Sequence, residues 1–470
     1  MTTRQILGQL EGLRARDLPT HGGRTLAYVY DSGVAEADEL GRTALAMYGG
    51  TNGLDPTAFP SLLQMERDLV EFARPMFHGG DQMVGTVTSG GTESILLAVK
   101  TARDAADVDK PVIVVPDTIH AAFHKACHYF GVERVSVPVD PVSFRADPAA
   151  IGKALEQYGD RVVMVAVSAP SYAHGVLDPV RQVAELTRPA GVRLHVDACI
   201  GGWVLPWAEG LPPWDFAVEG VTSISADLHK YAYTPKGVSL LLYRDPGFRQ
   251  AQFFASADWP GYTMLNSTVQ STKSGGPVAA AWAVVRYFGV DGYRRLAQDA
   301  LAGTRAVGDG IASIDHLHVV ASPDSTLVAI GVDDALDVFT LSDLMLDRGW
   351  FVQPQMSFKD FPATVHVSLS AATAPSVPEF LAALSGSVSA AVAVGPIQVD
   401  PGLRDAAAAI DPATLDDATF DALLQIAGLA EADGQVAAPP RMAAVNALLD
   451  IAPPAVREAL LIAFLDRLSR

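Results

Sequence analysis

From Val84 to about residue 290 the chain repeats one pattern: a short run of β-branched and aliphatic residues, then a helix-length segment. The runs are Val84–Thr88, Val112–Val115, Val135–Val139, Val162–Val167, Leu194–Val196, Ser223–Ser225 and Val238–Tyr243. A strand covered on one face alternates apolar and polar residues. These runs are apolar almost throughout, so both faces must be covered. The connections between the first runs are long enough to cross over a sheet and return in the same direction. The pattern therefore predicts an α/β fold with a mainly parallel sheet between helices, seven strands from seven runs.

The flanking segments read differently. Residues 1–78 look like an arm, with weak helical periodicity over 4–18 and a loop signal at Gly49-Gly50-Thr51-Asn52-Gly53. A helix is expected over Ser61–Arg74, where Leu62, Met65, Leu69 and Phe72 share one face. The large domain is placed at 79–290. A smaller α+β domain follows at 291–396, with strands expected at Val319–Ala321, Leu327–Val332 and Val365–Leu369. Residues 397–470 read as a helical tail, started by Asp411-Pro412-Ala413-Thr414 and broken at Ala438-Pro439-Pro440 and Pro453-Pro454.

Charge narrows the function. The 34 Lys+Arg against 53 Asp+Glu leave a formal charge of −19. Such a chain has no general attraction for nucleic acid or anionic membranes, so any anion must be held by a local pocket. The composition, 49% hydrophobic, suits a large core and excludes general disorder. Two cysteines, Cys127 and Cys199, form no disulfide framework, which suits a reducing compartment and a cytoplasmic location. No run approaches the apolar length of a membrane span, and no transmembrane segment is expected. No metal site is read.

Three motifs carry chemistry. Thr86-Val87-Thr88-Ser89-Gly90-Gly91-Thr92 joins a strand to a helix start, a geometry that offers backbone N–H groups and a helix dipole to an anion. By itself this is an ordinary capped turn. Asp197 closes the strand Leu194-His195-Val196, where an acid is costly to bury without a partner, although helix capping also favours aspartate. Lys230 follows a strand within Ser225-Ala226-Asp227-Leu228-His229-Lys230-Tyr231. Alone it is one lysine in a loop. Together the three meet the needs of pyridoxal 5′-phosphate: a phosphate cradle, a carboxylate for the pyridine nitrogen and an amine for the aldehyde.

The text around these motifs is specific. It includes Gly85–Leu96 (GTVTSGGTESIL), His120–Ala126, His174–Val180, His195–Gly202, Gly220–Tyr231, Pro235–Gly237 and Asp258–Gly261. In these segments, and in similarity that extends from about Gly23 to Leu369, the chain resembles the sphingosine-1-phosphate lyase branch of the group II pyridoxal-phosphate-dependent decarboxylases, enzymes of fold type I. The resemblance implies Lys230 as the Schiff-base lysine, Asp197 on the pyridine nitrogen and His120 stacked on the cofactor ring. It implies cofactor contacts from Ser89, Gly90, Gly91, Thr92 and His229. It also implies a homodimer with the site at the subunit interface, where Thr272 and Lys273 stand at positions that serve the neighbouring subunit's phosphate. Substrate contacts are implied at Tyr30, Asn52, Tyr172 and Lys236.

Pyridoxal phosphate sets the class and the pocket sets the bond. The resemblance favours cleavage of a phosphorylated amino alcohol to an aldehyde and phosphoethanolamine. The strand Thr364-Val365-His366-Val367-Ser368 carries no arginine to clamp an α-carboxylate, which agrees with that preference. The alternative is an amino-acid decarboxylase, and a non-catalytic cofactor-binding scaffold is the reading from a different class. One departure stands out: Asp55 replaces a family histidine, and a carboxylate facing a substrate phosphate would repel it.

Overall fold

The computed structural model describes residues 1–399, 401–415, 417–426 and 441–469. They form two compact units. The first comprises 1–306, 321–328 and 368–376. The second comprises 307–320, 329–367 and 377–470.

The first unit begins with helices α1 (Thr3–Arg14), α2 (Ala35–Met47) and α3 (Pro60–Met76). Helix α3 buries Leu62, Met65, Leu69, Val70 and Ala73, the apolar stripe its sequence spacing predicts. The alternating block follows as β1 (Val84–Thr88), α4 (Gly91–Asp104), β2 (Val112–Pro116), α5 (Ala122–Phe130), β3 (Glu133–Val137), α6 (Pro148–Tyr158), β4 (Val162–Ser168), α7 (Val180–Thr187), β5 (Arg193–Asp197), β6 (Val221–Ala226) and β7 (Ser239–Tyr243). They build one seven-stranded sheet in the order β1-β7-β6-β5-β4-β2-β3. Neighbours from β3 to β6 run parallel, and β7 is antiparallel to both β6 and β1. Strands β2, β4, β6 and β7 are buried at every position, so the apolar runs have the two-sided cover they require.

A short helix α8 (Pro246–Arg249) leads to a two-stranded ribbon of β8 (Phe254–Ser256) and β9 (Met264–Asn266). The long helix α9 (Gly275–Ile311) is interrupted at Gly289, whose φ of +57° only glycine adopts cheaply.

The second unit holds a four-stranded sheet, β10 (Leu317–Val319), β11 (Leu327–Val332), β12 (Gln353–Gln355) and β13 (Thr364–Ser368), in the order β10-β11-β13-β12. Its helices are α10 (Val338–Asp347), α11 (Val377–Val394), α12 (Pro401–Ala409), α13 (Asp417–Ile426), α14 (Ala443–Ile451) and α15 (Pro454–Leu468). The tail is part of this unit: Asp343 on α10 accepts from the N–H groups of Met442 and Ala443, at the start of α14. Asp411 caps a single turn at Pro412–Thr414. The expected break at Ala438–Pro440 lies outside the described residues.

One sequence expectation needs correction. Among the described residues one helix, Ala374–Val394, is long and apolar enough to cross a membrane by length and composition. Ser385, Gly386, Ser387 and Ser389 interrupt the run and hid it. Val377, Phe380, Leu384, Val388 and Ala391 are buried, and Phe380 meets the Trp350 ring edge-on at 5.3 Å, which accounts for one apolar face.

Candidate active site

At the carboxyl ends of β1, β4, β5 and β6 lies a cavity of about 380 Å³, lined by Ser89, Gly90, Gly91, Thr92, His120, Tyr172, Asp197, Cys199, His229 and Lys230 among others. The five distant sequence segments that supply these residues meet because parallel strands release their loops at one edge.

The N-terminal turn of α4 forms one wall. Gly91 has no room for a side chain: a Cβ there would stand 2.6 Å from Cys199 Sγ and 2.8 Å from Asp227 Oδ2. Glycine lets the helix start approach this closely and keeps its N–H groups exposed to an anion. Glu93, buried in the same turn, fastens the cradle. It accepts from Ser89 N at 2.6 Å and from Val269 N at 2.9 Å, tying the turn to the segment that precedes Thr272.

Asp197 ends β5. Its Oδ1 accepts from Cys199 N at 3.0 Å and from Ser225 Oγ at 3.2 Å, and Ser225 is also bonded to the buried His195 ring. Burial holds His195 down at about 4, so it is a neutral strut. These bonds fix the carboxylate at the cavity wall, where it can face a ring nitrogen.

Lys230 lies on the tight loop after β6. Its Nζ is 2.9 Å from Asp227 Oδ2. Burial would lower the lysine pKa, but the Asp227 carboxylate, together with Tyr30 and Cys199, raises it above the ordinary lysine value. Asp227 in turn is held low by Lys230 and His229 in spite of burial. His229 accepts from Val238 N through Nδ1, and burial lowers its pKa. His120 accepts from Ala122 N through Nδ1, which leaves the proton of its neutral ring on Nε2; burial lowers its pKa as well. The Cys199 thiol is pushed up by burial and by Asp197 and Asp227, so it stays protonated.

The other expected residues divide. Tyr30 and Lys236 sit beside the cavity rather than in its wall. Lys236 Nζ lies 4.8 Å from the Tyr30 ring centre and donates to the carbonyls of Tyr28 and His229. Loss of water and the Lys230 charge lower its pKa to about 8. Asn52 is not in the wall: it forms a bridge with Ser274, and its Oδ1 accepts from Leu54 N. Thr272 is exposed and outside its own chain's cavity. Lys273 is turned inward to Glu66 and to Val87 O. Asp55 is exposed and spends Oδ1 on Thr57 N and Thr57 Oγ1, closing its own turn.

Sequence reasoning assigned nothing to Asp227, although it stands three residues before Lys230 in the same motif. It also gave no role to Glu93. Both are acids inside apolar or glycine-rich text, which is the signal that marks a buried partner.

The cavity fits pyridoxal 5′-phosphate on this chain's own features: a glycine-lined helix start with hydroxyls, a fixed carboxylate and a half-buried amine in one lining. A family model, the pyridoxal-dependent decarboxylase conserved domain, matches residues 36–332. The chain belongs to the pyridoxal-dependent decarboxylase family. Its cofactor is pyridoxal 5′-phosphate. Within that family the chain is 35% identical to sphingosine-1-phosphate lyase 1 of Rattus norvegicus, over 79% of this chain and 65% of the rat protein. It is 36% identical to sphingosine-1-phosphate lyase of Oryza sativa subsp. japonica, over 84% and 74%. The solved sphingosine-1-phosphate lyase of Burkholderia pseudomallei superposes with a TM-score of 0.78 at 30% identity, covering 84% of this chain and 92% of that one. The chain thus spans slightly under two thirds of the rat relative. A second family model, a C-terminal putative HTH domain of pyridoxal-dependent enzymes, matches residues 401–467, the tail that sequence reasoning left without a role.

Proposed function

We propose that this chain is a pyridoxal-phosphate-dependent carbon–carbon lyase that cleaves a phosphorylated amino alcohol of the sphingoid-base type to an aldehyde and phosphoethanolamine. The observation that carries this choice over a decarboxylase is Lys236. Its amine, held beside the cavity by Tyr28, His229 and the Tyr30 ring, supplies a cation where a substrate phosphate would need one. The lyase relatives support the same reading. Asp55 does not oppose it, because its carboxylate is committed to its own turn.

The residues divide the work. When bound, the cofactor supplies a conjugated ring that withdraws electrons from the bond to be broken. Gly91, Thr92 and Ser89 hold its phosphate at the start of α4. Asp197 would face the ring nitrogen and hold its proton, which would strengthen the ring as an electron sink. His120 would lie at the ring face, with a proton donor at Nε2. Lys230 would hold the cofactor through its amine. Cys199, protonated in the cavity wall, does not compete with it as a nucleophile. Tyr172 and Tyr30, both raised by burial, keep their hydroxyl protons near the substrate.

The working unit is a homodimer, with Thr272 of the partner subunit completing the phosphate site. Two observations support this. Thr272 is exposed on a segment that Glu93 ties to the cradle. The surrounding surface is also unusually apolar, with Phe253, Phe254, Trp259, Tyr262 and Leu265 exposed on and around the β8–β9 ribbon.

The test is the product. Incubation with a phosphorylated sphingoid base should release a long-chain aldehyde and phosphoethanolamine in equal amounts. Carbon dioxide from an amino acid, with no aldehyde from the phosphorylated base, would sink the lyase reading in favour of decarboxylation.

A further inference from the structure

Asp227 lines the cavity and is 2% exposed. Its carboxylate faces the Lys230 amine, the His229 ring at 3.6 Å and Ser239 on β7. Oδ2 pairs with Lys230 Nζ at 2.9 Å, and Oδ1 makes no hydrogen bond among the described residues. A buried carboxylate with one oxygen unbonded is costly, and what offsets the cost here is the lysine. The same carboxylate lies against Gly91, under the turn that receives the cofactor phosphate.

We propose that Asp227 is a positioning residue for cofactor capture: it anchors the Lys230 amine in the cavity as a charged group and so sets the pH at which that amine becomes free to bond to the cofactor aldehyde. The inference rests on Lys230 being the cofactor lysine. The chemistry balances simply. The ammonium gives one proton to solvent, and the neutral amine forms a bond to the aldehyde carbon. Its two remaining hydrogens leave with the carbonyl oxygen as water. Only the first of these steps is opposed by Asp227, because the carboxylate stabilises the charged amine and not the neutral one.

The groups facing Lys230 leave Asp227 as the controlling charge. Tyr30 from the arm and Cys199 after β5 are both raised by burial and stay neutral. His120 and His229 are both lowered by burial and are uncharged at neutral pH. Lys236 is a second cation that disfavours charge on Lys230. Asp197 is fastened to Cys199 N and Ser225. Asp227 alone of these is in ion-pair contact with the amine.

The test is the rate of cofactor capture by the full-length chain stripped of cofactor, read as growth of visible absorbance after mixing with pyridoxal 5′-phosphate across a pH series. Asp227→Asn should move the rise of capture rate to lower pH by about 1–3 units, and Asp227→Glu should stay near the parent profile. An Asn profile that coincides with the parent overturns the inference. Failure of the parent chain to capture cofactor, or capture by Lys230→Met, would overturn the assignment of the lysine instead. If Asp227→Asn does not fold, thermal melts at pH 8 decide. Lys230→Met strands the carboxylate and should melt lower than Lys230→Met/Asp227→Asn. A double variant that melts no higher shows that the two side chains are not coupled, and the inference fails.

Discussion

At the scale of single residues, the site is an arrangement of charges whose partners are fixed before any ligand arrives. Asp197 is held by a backbone N–H and a serine, so its replacement should cost chemistry more than structure. Asp197→Ala is expected to keep the absorbance of bound cofactor while losing turnover by about 100-fold or more, measured by product release. Gly91 is limiting for a steric reason. A methyl group there meets Cys199 Sγ at 2.6 Å and Asp227 Oδ2 at 2.8 Å, so Gly91→Ala should destabilise the fold by about 1–3 kcal/mol and weaken cofactor binding, read by thermal melts and spectral titration. Lys230, Asp197 and the glycine turn, singled out in the sequence from three separate motifs, line one cavity. Asp227 was passed over although it stands in apolar text, because an acid at i, i+3 from a lysine also reads as an ordinary surface pair until its burial is seen.

At the scale of elements, the apolar runs predicted the strands of the large sheet to within a few residues, since continuous burial leaves no other pattern for a central parallel strand. What the runs could not show is that β7 returns antiparallel between β6 and β1, because direction is set by the connection and not by the strand's own residues. Asp178 illustrates how such loops are fastened. It is fully buried, accepts from Ala146 N and Ser168 N, and is pushed up to about 6 by burial. Its folded pKa lies above the unfolded value, so its contribution is greatest below about pH 4 and is lost as pH rises through 6. The stability difference between the parent and Asp178→Asn should therefore shift by about 2–3 kcal/mol in the parent's favour from pH 7 to pH 4, measured by denaturant unfolding. In the second unit, Asp343 caps the entry to α14 from another helix. Asp343→Ala should cost about 1 kcal/mol locally and speed hydrogen exchange over 443–451 without changing cofactor binding.

At the scale of the whole molecule, a chain with a formal charge of −19 handles anions only where local structure overrides the field. In the proposed function the cradle would do so with backbone N–H groups, and Lys236 with an amine whose pKa is lowered to about 8. The tail shows the limit of pattern reading: its Ala- and Asp-rich text gave helices but no function, and its helices bury Phe420 and Val445 in one apolar cluster beside the Asp343 cap. The proposed dimer makes its own prediction. Thr272→Ala should raise the cofactor Kd by about 10-fold, as expected for one lost hydrogen bond to a charged group. Mixing Thr272→Ala chains with Lys230→Ala chains should restore a fraction of sites, because one dimer then holds an intact lysine opposite an intact threonine. The most direct measurement of the central claim is peptide mapping after borohydride reduction of the cofactor-loaded protein. The account predicts a single pyridoxyl-phosphate adduct on Lys230. An adduct on Lys236 or any other lysine, with Lys230 unmodified, would contradict it.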